Sequence, residues 1–202
     1  MSGRDYHAVE INGLRRELPL FEVAPGTRIA VFNLLGDTEV VEAAAQALAE
    51  RLAEVDFDAV VTAETKSVPL VYELARRLGT PWVVLRKAYK PYMGEALSAE
   101  TQSITTGVPQ TLYLDEKDLP LVRDRRVALL DDVISTGSTV EGMREVMDAA
   151  NAEVVVEAAI FTEGDRPGHD IVALGHLPVF RERSGRDAGP QLGARTPSSP
   201  TS

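Results

Sequence analysis

The sequence predicts an α/β fold: a mostly parallel, twisted sheet with helices on both faces. Three observations predict it. Short β-prone runs alternate with longer segments of helical period. Some runs, such as "VALL" at Val127–Leu130, are apolar throughout, as strands buried on both faces are. The runs also end in polar turns that open helices, the order of parallel strand–helix units.

The elements follow in chain order. "DTEVVEAAAQALAERLAE" is an amphipathic helix that Asp37 or Thr38 can cap, with Val41, Ala45, Leu48 and Leu52 on one stripe. "FDAVVTAETKS" is a short buried strand and a polar turn. "VPLVYELARRLG" is a second helix, with Val71, Leu74 and Leu78 inward and Gly79 at its end. "PWVVLRK" is the next strand. Residues 88–110 then break the alternation with a polar stretch rich in Gly, Pro, Ser and Thr. "TQSITTGVPQTLYL" reads as a hairpin, and excursions of this length inside compact domains are usually lids or binding loops. "RVALLDD" returns to the sheet and feeds the helix "STVEGMREVMDAANA", and "EVVVEAAIFT" is a further strand. From Arg181 onward the composition cannot bury a core, so 1–183 is expected to be one domain and 184–202 a disordered tail.

The bulk properties exclude several functions. The 202 residues carry a net charge of −10, which argues against a nucleic-acid footprint but not against a phosphorylated ligand bound by local donors. With no cysteine, disulfides and thiolate metal sites are excluded. No apolar run approaches the length of a membrane span, and "MSGRDYHAVEING" has no signal-peptide core, so a cytoplasmic protein free of membrane is expected.

The most informative stretch is "LLDDVISTGST". A strand that ends in a helix-opening turn puts that turn at the carboxyl edge of a parallel sheet, the usual ligand edge of open α/β folds. The turn Ser135, Thr136, Gly137, Ser138 and Thr139 offers hydroxyls, a close backbone approach and free N–H groups at a helix start, which together suit a phosphate monoester. Asp131 and Asp132 repel each other and need a partner. The vicinal hydroxyls of a ribose supply one, and a divalent cation nearby is another. A sugar phosphate meets both demands. Neither G-x-x-x-x-G-K-[ST] nor G-x-G-x-x-G occurs, which disfavours P-loop and dinucleotide-binding proteins.

"VALLDDVISTGST" resembles the phosphoribosyl-diphosphate signature of type I phosphoribosyltransferases. The run from about Phe57 to Thr162 resembles adenine phosphoribosyltransferases and their close relatives, with "VVTAETKSVPLVYELARRLGTPWVVLRK" in their layout. The resemblance implies the type I fold with a flexible β-hairpin loop at about 88–110 and a small hood from about 1–36 and 170–183. It implies a purine phosphoribosyltransferase that uses 5-phosphoribosyl 1-diphosphate and Mg²⁺, adenine being the favoured base and xanthine or guanine the runner-up, in a homodimer. A non-catalytic sensor of phosphoribosyl diphosphate is the alternative from another class.

The resemblance also assigns roles. The loop with Glu64, Thr65, Lys66 and Ser67 would hold pyrophosphate, in a segment where relatives often carry a cis peptide. A plain helix cap at Ser67 is the competing reading. Arg86, Lys87 and Lys90 would face the pyrophosphate, with Lys90 catalytic beside Asp131 and Asp132, and Mg²⁺ held through the substrate with the two acids nearby. Gly94 and Gly107 would flex the loop. Phe32 could stack on the base and Asn33 could read its edge; a core ring and a turn former are the competing readings. Two positions depart from the pattern. Ser135 stands where hypoxanthine-type relatives place an acidic residue, and Thr105 where adenine-type relatives carry a loop glutamate. Threonine is no general acid or base at neutral pH, so Glu95 or Glu100 would have to substitute.

Overall fold

The computed structural model describes residues 5–101, 110–164 and 170–181. The expected tail, Thr105 and Gly107 lie outside the described residues. The core is a five-stranded, wholly parallel sheet in the order β10-β9-β8-β4-β5. Its strands are β4 (Ala59–Ala63), β5 (Trp82–Leu85), β8 (Arg126–Ile134), β9 (Glu153–Glu163) and β10 (Val172–Leu177). Both faces are covered. Val60, Ala128 and Leu130 pack toward α1 (Thr38–Arg51) and α2 (Val68–Leu78). Their strand neighbours Val61, Val127 and Leu129 point to the other side, toward α4 (Ser138–Ala149). Among the described residues no helix is long and apolar enough to cross a membrane.

The helices start and stop where the sequence expects. Asp37 caps α1 by accepting from the Val40 amide at 3.1 Å, and α2 ends at Gly79 in a left-handed conformation. The buried stripe of α1 is offset from the expected one. Val40, Ala44, Ala45 and Leu48 are buried and Val41 only partly so, because the helix also packs on strands ahead of it. Similarly, α2 buries Leu70, Val71, Leu74 and Ala75, while Leu78 is half-buried.

A second sheet packs against this core through Val9, Ile11, Leu18 and Ala30. It has the order β1-β2-β3-β11, antiparallel throughout, from β1 (Tyr6–Ile11), β2 (Leu14–Ala24), β3 (Thr27–Ala30) and β11 (Val179–Arg181). The β1–β2 hairpin turns on Asn12 and Gly13, both at positive φ (49° and 79°), the backbone that two-residue hairpins require and Asn-Gly adopts at least cost. This sheet lies where a hood was expected. Residues 172–177, counted to the hood from sequence, belong instead to the core sheet as β10, because they pair in parallel with β9.

Arg16 of β2 fastens the second sheet to α1. Its guanidinium donates to both oxygens of Asp37, at 2.8 and 3.0 Å, and to Glu39 at 2.7 Å. That bond, then the Val40 amide, holds the Asp37 carboxyl below the usual range against the opposing effect of burial. Asp37→Ala should therefore cost about 1 kcal/mol in chemical denaturation at neutral pH. The Asp37 contribution is present above the unfolded carboxyl pKa of about 4 and is lost as pH falls through its lower folded value, so the gap between wild type and variant should close in acid.

The described part of the 88–110 excursion, residues 88–101 and 110, is more firmly built than a free loop. Its strands are β6 (Leu97–Thr101) and β7 (Gln110–Leu114), paired from Leu97↔Leu114 to Thr101↔Gln110. The first strand thus precedes the expected hairpin. Met93, Leu112 and Leu114 are buried, and Leu97 and Ala99 pack on the core under α4. Gly94, expected as a flexible point, is pinned. The Glu95 amide donates to Glu116 Oε2 at 2.9 Å, and a Cβ on Gly94 would fall 1.8 Å from that oxygen.

Candidate active site

Parallel pairing brings three strand ends to one edge. Ala63 of β4 is level with Leu85 of β5, and Ile134 of β8 with Thr162 of β9. The residues that follow β4, β5 and β8 are therefore neighbours: the loop 64–67, the cations from Arg86, and the turn 135–139.

The turn forms the start of α4. Gly137 takes φ 83° and can cap the helix only with its backbone; of the first amides of α4, that of Ser138 reaches the Thr136 hydroxyl at a long 3.5 Å. Thr136 Oγ1 lies 3.2 Å from Ser138 Oγ. With Asp131 and Val140 the turn lines a small, open cradle of about 30 Å³. A larger groove of about 250 Å³, lined by Leu34, Gly36, Val41, Pro69 and Tyr72 among others, contains none of the expected phosphate ligands. No atom would crowd a Cβ on Gly137, so Gly137→Ala tests backbone strain alone. It should cost about 1–2 kcal/mol and, by rotating the amides away, weaken binding of ribose 5-phosphate. Melting and calorimetric titration check this together; unchanged affinity in a destabilised variant would detach the turn from phosphate binding.

Asp131 is half-buried and Asp132 buried. The expectation that both acids simply face a ligand needs adjusting, since Asp132 is 7% exposed and its Oδ2 has no hydrogen-bond partner. Asp131 Oδ1 accepts from the Ser67 hydroxyl at 2.8 Å and from the Asp132 amide at 2.8 Å. The Asp131 carboxyl is pushed up to about 7. Burial of its charge is the main cause and the Asp132 carboxylate adds repulsion, while the Ser67 hydroxyl pulls the other way. Among the described residues no group of three or more His, Cys, Asp or Glu could cage a metal ion. Two adjacent acids, one with an orphaned oxygen, fit instead a cation that takes most of its ligands from a phosphorylated substrate.

The loop residues divide. Thr65 and Lys66 are exposed at the sheet edge, and the Glu64–Thr65 peptide is cis. Glu64 is not free to meet pyrophosphate. Its carboxylate accepts from Arg86 Nε and, at 2.8 Å, from the Lys87 amide, so its placing among the pyrophosphate ligands is corrected: it orients Arg86. Ser67 is also corrected. It is 1% exposed, stands at the N-cap of α2 without capping it, and spends its hydroxyl on Asp131. Lys66, Lys87 and Lys90 make no ion pair among the described residues.

The proposed base contacts fare differently. Phe32 is 5% exposed, edge-on to Phe161 with ring centroids 5.0 Å apart, which leaves little open face for stacking. Asn33 is exposed, and its Oδ1 accepts from the Leu35 amide at 3.2 Å, the act of a turn former. His176 lies on β10 with Nδ1 3.0 Å from Thr162 Oγ1 at the same sheet edge. Its pairing was hidden in sequence because β9 and β10 meet only through the fold.

Comparison with known proteins places this geometry. Residues 34–172, more than half of the chain, match the family model "Phosphoribosyl transferase domain". The purine biosynthesis transcriptional repressor PurR of Bacillus subtilis is 30% identical over 132 residues, 65% of this chain and 46% of that protein. The chain thus spans about half the length of that relative. An adenine phosphoribosyltransferase of Clostridium botulinum is 29% identical over 140 residues, 69% of this chain and 78% of that one. The crystal structure of adenine phosphoribosyltransferase from Thermoanaerobacter pseudethanolicus shares the fold at a TM-score of 0.61 and 21% identity, covering 85% of this chain and 95% of that one.

Proposed function

This chain belongs to the phosphoribosyl transferase domain family, and on that premise we propose that it is a purine phosphoribosyltransferase. It would transfer the phosphoribosyl group of 5-phosphoribosyl 1-diphosphate to a purine base, adenine favoured, giving a nucleoside monophosphate and pyrophosphate. The observation that carries this reading is the convergence on one sheet edge of a small hydroxyl-lined cradle, two acids and a loop followed by basic residues.

Each group has a task under this reading. The amides at the start of α4 and the hydroxyls of 135–139 take the 5′-phosphate. Asp131 and Asp132 accept from the ribose hydroxyls and hold the anomeric carbon in place. The amides of 64–67 with Lys66, and Arg86, Lys87 and Lys90, lie toward the pyrophosphate and stabilise charge that grows on it as the anomeric C–O bond breaks. A bound Mg²⁺ supplies further neutralisation of that charge, with Asp131 and Asp132 the residues that would hold it beside the substrate's own oxygens. The protein is taken to be a cytoplasmic homodimer.

A second reading has its own support. A purine-biosynthesis regulator is among the relatives, and Thr105 stands where an adenine-type loop would carry its glutamate. On that reading the site binds phosphoribosyl diphosphate without turnover. One experiment separates the two. Pyrophosphate release is followed with phosphoribosyl diphosphate, Mg²⁺ and a panel of purines. Release with adenine supports the enzyme, release with guanine or xanthine shifts the substrate, and tight binding with no release supports the sensor. A protein that neither binds phosphoribosyl diphosphate nor releases pyrophosphate sinks both.

A further inference from the structure

Among the described residues, Ser67 is the one hydroxyl that joins the loop after β4 to the acids at the end of β8. The two segments are far apart in sequence and meet through the pairing of β4 with β8. The Ser67 hydroxyl donates to Asp131 Oδ1 at 2.8 Å and accepts from the Asp132 amide at 2.9 Å, while that amide also reaches Asp131 Oδ1 at 2.8 Å. The three groups close a ring. The side chain is 1% exposed, too enclosed to touch a ligand, and makes no cap bond to the helix it precedes. A serine placed at a helix N-cap ordinarily satisfies the helix's own amides. Here its single proton is directed across the sheet edge.

We propose that Ser67 is a positioning residue for Asp131: it fixes Oδ1 so that Oδ2 is presented to a vicinal diol, and it links the anion-binding loop to the sugar-binding acid. This rests on the sugar-phosphate reading above and goes beyond it in two ways. It removes Ser67 from direct contact with pyrophosphate. It also couples the two halves of the site, because a ligand that draws on the amides of 64–67 shifts the group that orients Asp131. A carboxylate without this bond can rotate about its χ2 torsion, and the diol then meets it in a poorer geometry.

The test measures affinity by calorimetry, with Mg²⁺, for two probes: 5-phosphoribosyl 1-diphosphate, which carries the diol, and inorganic pyrophosphate, which does not. In Ser67→Ala the affinity for phosphoribosyl diphosphate should fall about tenfold, the scale of one hydrogen bond to a charged group, while that for pyrophosphate is unchanged. In an Asp131→Asn background the same change should add little, since the ring has already lost its charged member. Ser67→Thr, which keeps the hydroxyl, should restore affinity, and matching melting curves for Ser67→Ala and wild type show that the fold is intact. An equal loss for both probes would make Ser67 a pyrophosphate contact or a general structural residue and overturn the proposal, with the sugar-phosphate reading untouched. Full additivity with Asp131→Asn would overturn it too. A wild type that binds pyrophosphate but gains nothing from the ribose sinks the sugar-phosphate reading itself.

Discussion

Asp131→Asn combined with Asp132→Asn is expected to cut turnover about a thousandfold or more and to leave the chain folded. Each carboxylate offers charge-assisted acceptance worth about 1.5–3 kcal/mol to a ligand hydroxyl, so losing both removes several powers of ten. The fold should survive because asparagine keeps the shape, and its carbonyl can still accept from the Ser67 hydroxyl and the Asp132 amide. Neutralising two adjacent acids, one half-buried and one buried, also removes their repulsion, so the melting temperature should hold or rise. Normal activity in the double variant would remove the ribose assignment. The single change Asp131→Asn carries a pH signature as well. In wild type the raised Asp131 pKa of about 7 means that the folded chain holds a proton that the unfolded chain, with an ordinary value of about 4, has released. Stability from this group therefore falls as pH rises between about 4 and 7 and levels off above, and Asp131→Asn should flatten that slope. Affinity for a diol-bearing ligand should move the opposite way in wild type, improving as pH rises through about 7.

Lys90→Ala should lower the turnover rate by about ten- to a thousandfold while changing the affinity for phosphoribosyl diphosphate much less. The Lys90 charge is uncommitted among the described residues. Arg86 is the nearest cation in sequence to the end of β5, but Glu64 already engages it. Lys90 is exposed, without an ion pair among the described residues, and anchored by its backbone next to buried Met93. A cation held nearby but unspent interacts most when charge grows on the leaving group, so its loss appears in the rate rather than in ground-state binding. Pre-steady-state kinetics separate the two quantities. Equal losses in rate and affinity would make Lys90 a simple binding cation, and full activity would take it out of the site.

The parts of this molecule that were legible in sequence are those written in local pattern. The strand–turn–helix order gave the parallel sheet, Asp37 announced α1, and the hydroxyl turn at Ser135–Thr139 announced the start of α4. What stayed hidden depends on contacts between distant segments. Nothing around Ser67 reveals that its hydroxyl meets Asp131, and nothing around Glu64 reveals its hold on Arg86. Phe32 looks as suited to a base as to a core until Phe161 is brought against it. The N-terminal sheet is a different case. Its first turn, Asn12-Gly13 between alternating runs, is a local hairpin signal, whereas the pairing of β3 with β11 joins distant segments.

The sheet made of β1, β2, β3 and β11 has a consequence for how the protein is made. Its inner strand β3 pairs on one side with β2, emerging just before it, and on the other with β11, among the last of the described strands to leave the ribosome. During synthesis β3 therefore waits with an unpaired edge while the whole core is translated and folds beside it. An open edge of that kind is where a nascent chain recruits a neighbour. Arg28, held by Asp5 at 2.6 Å, places a charge on that waiting strand and guards it until Val179 arrives opposite Ile29.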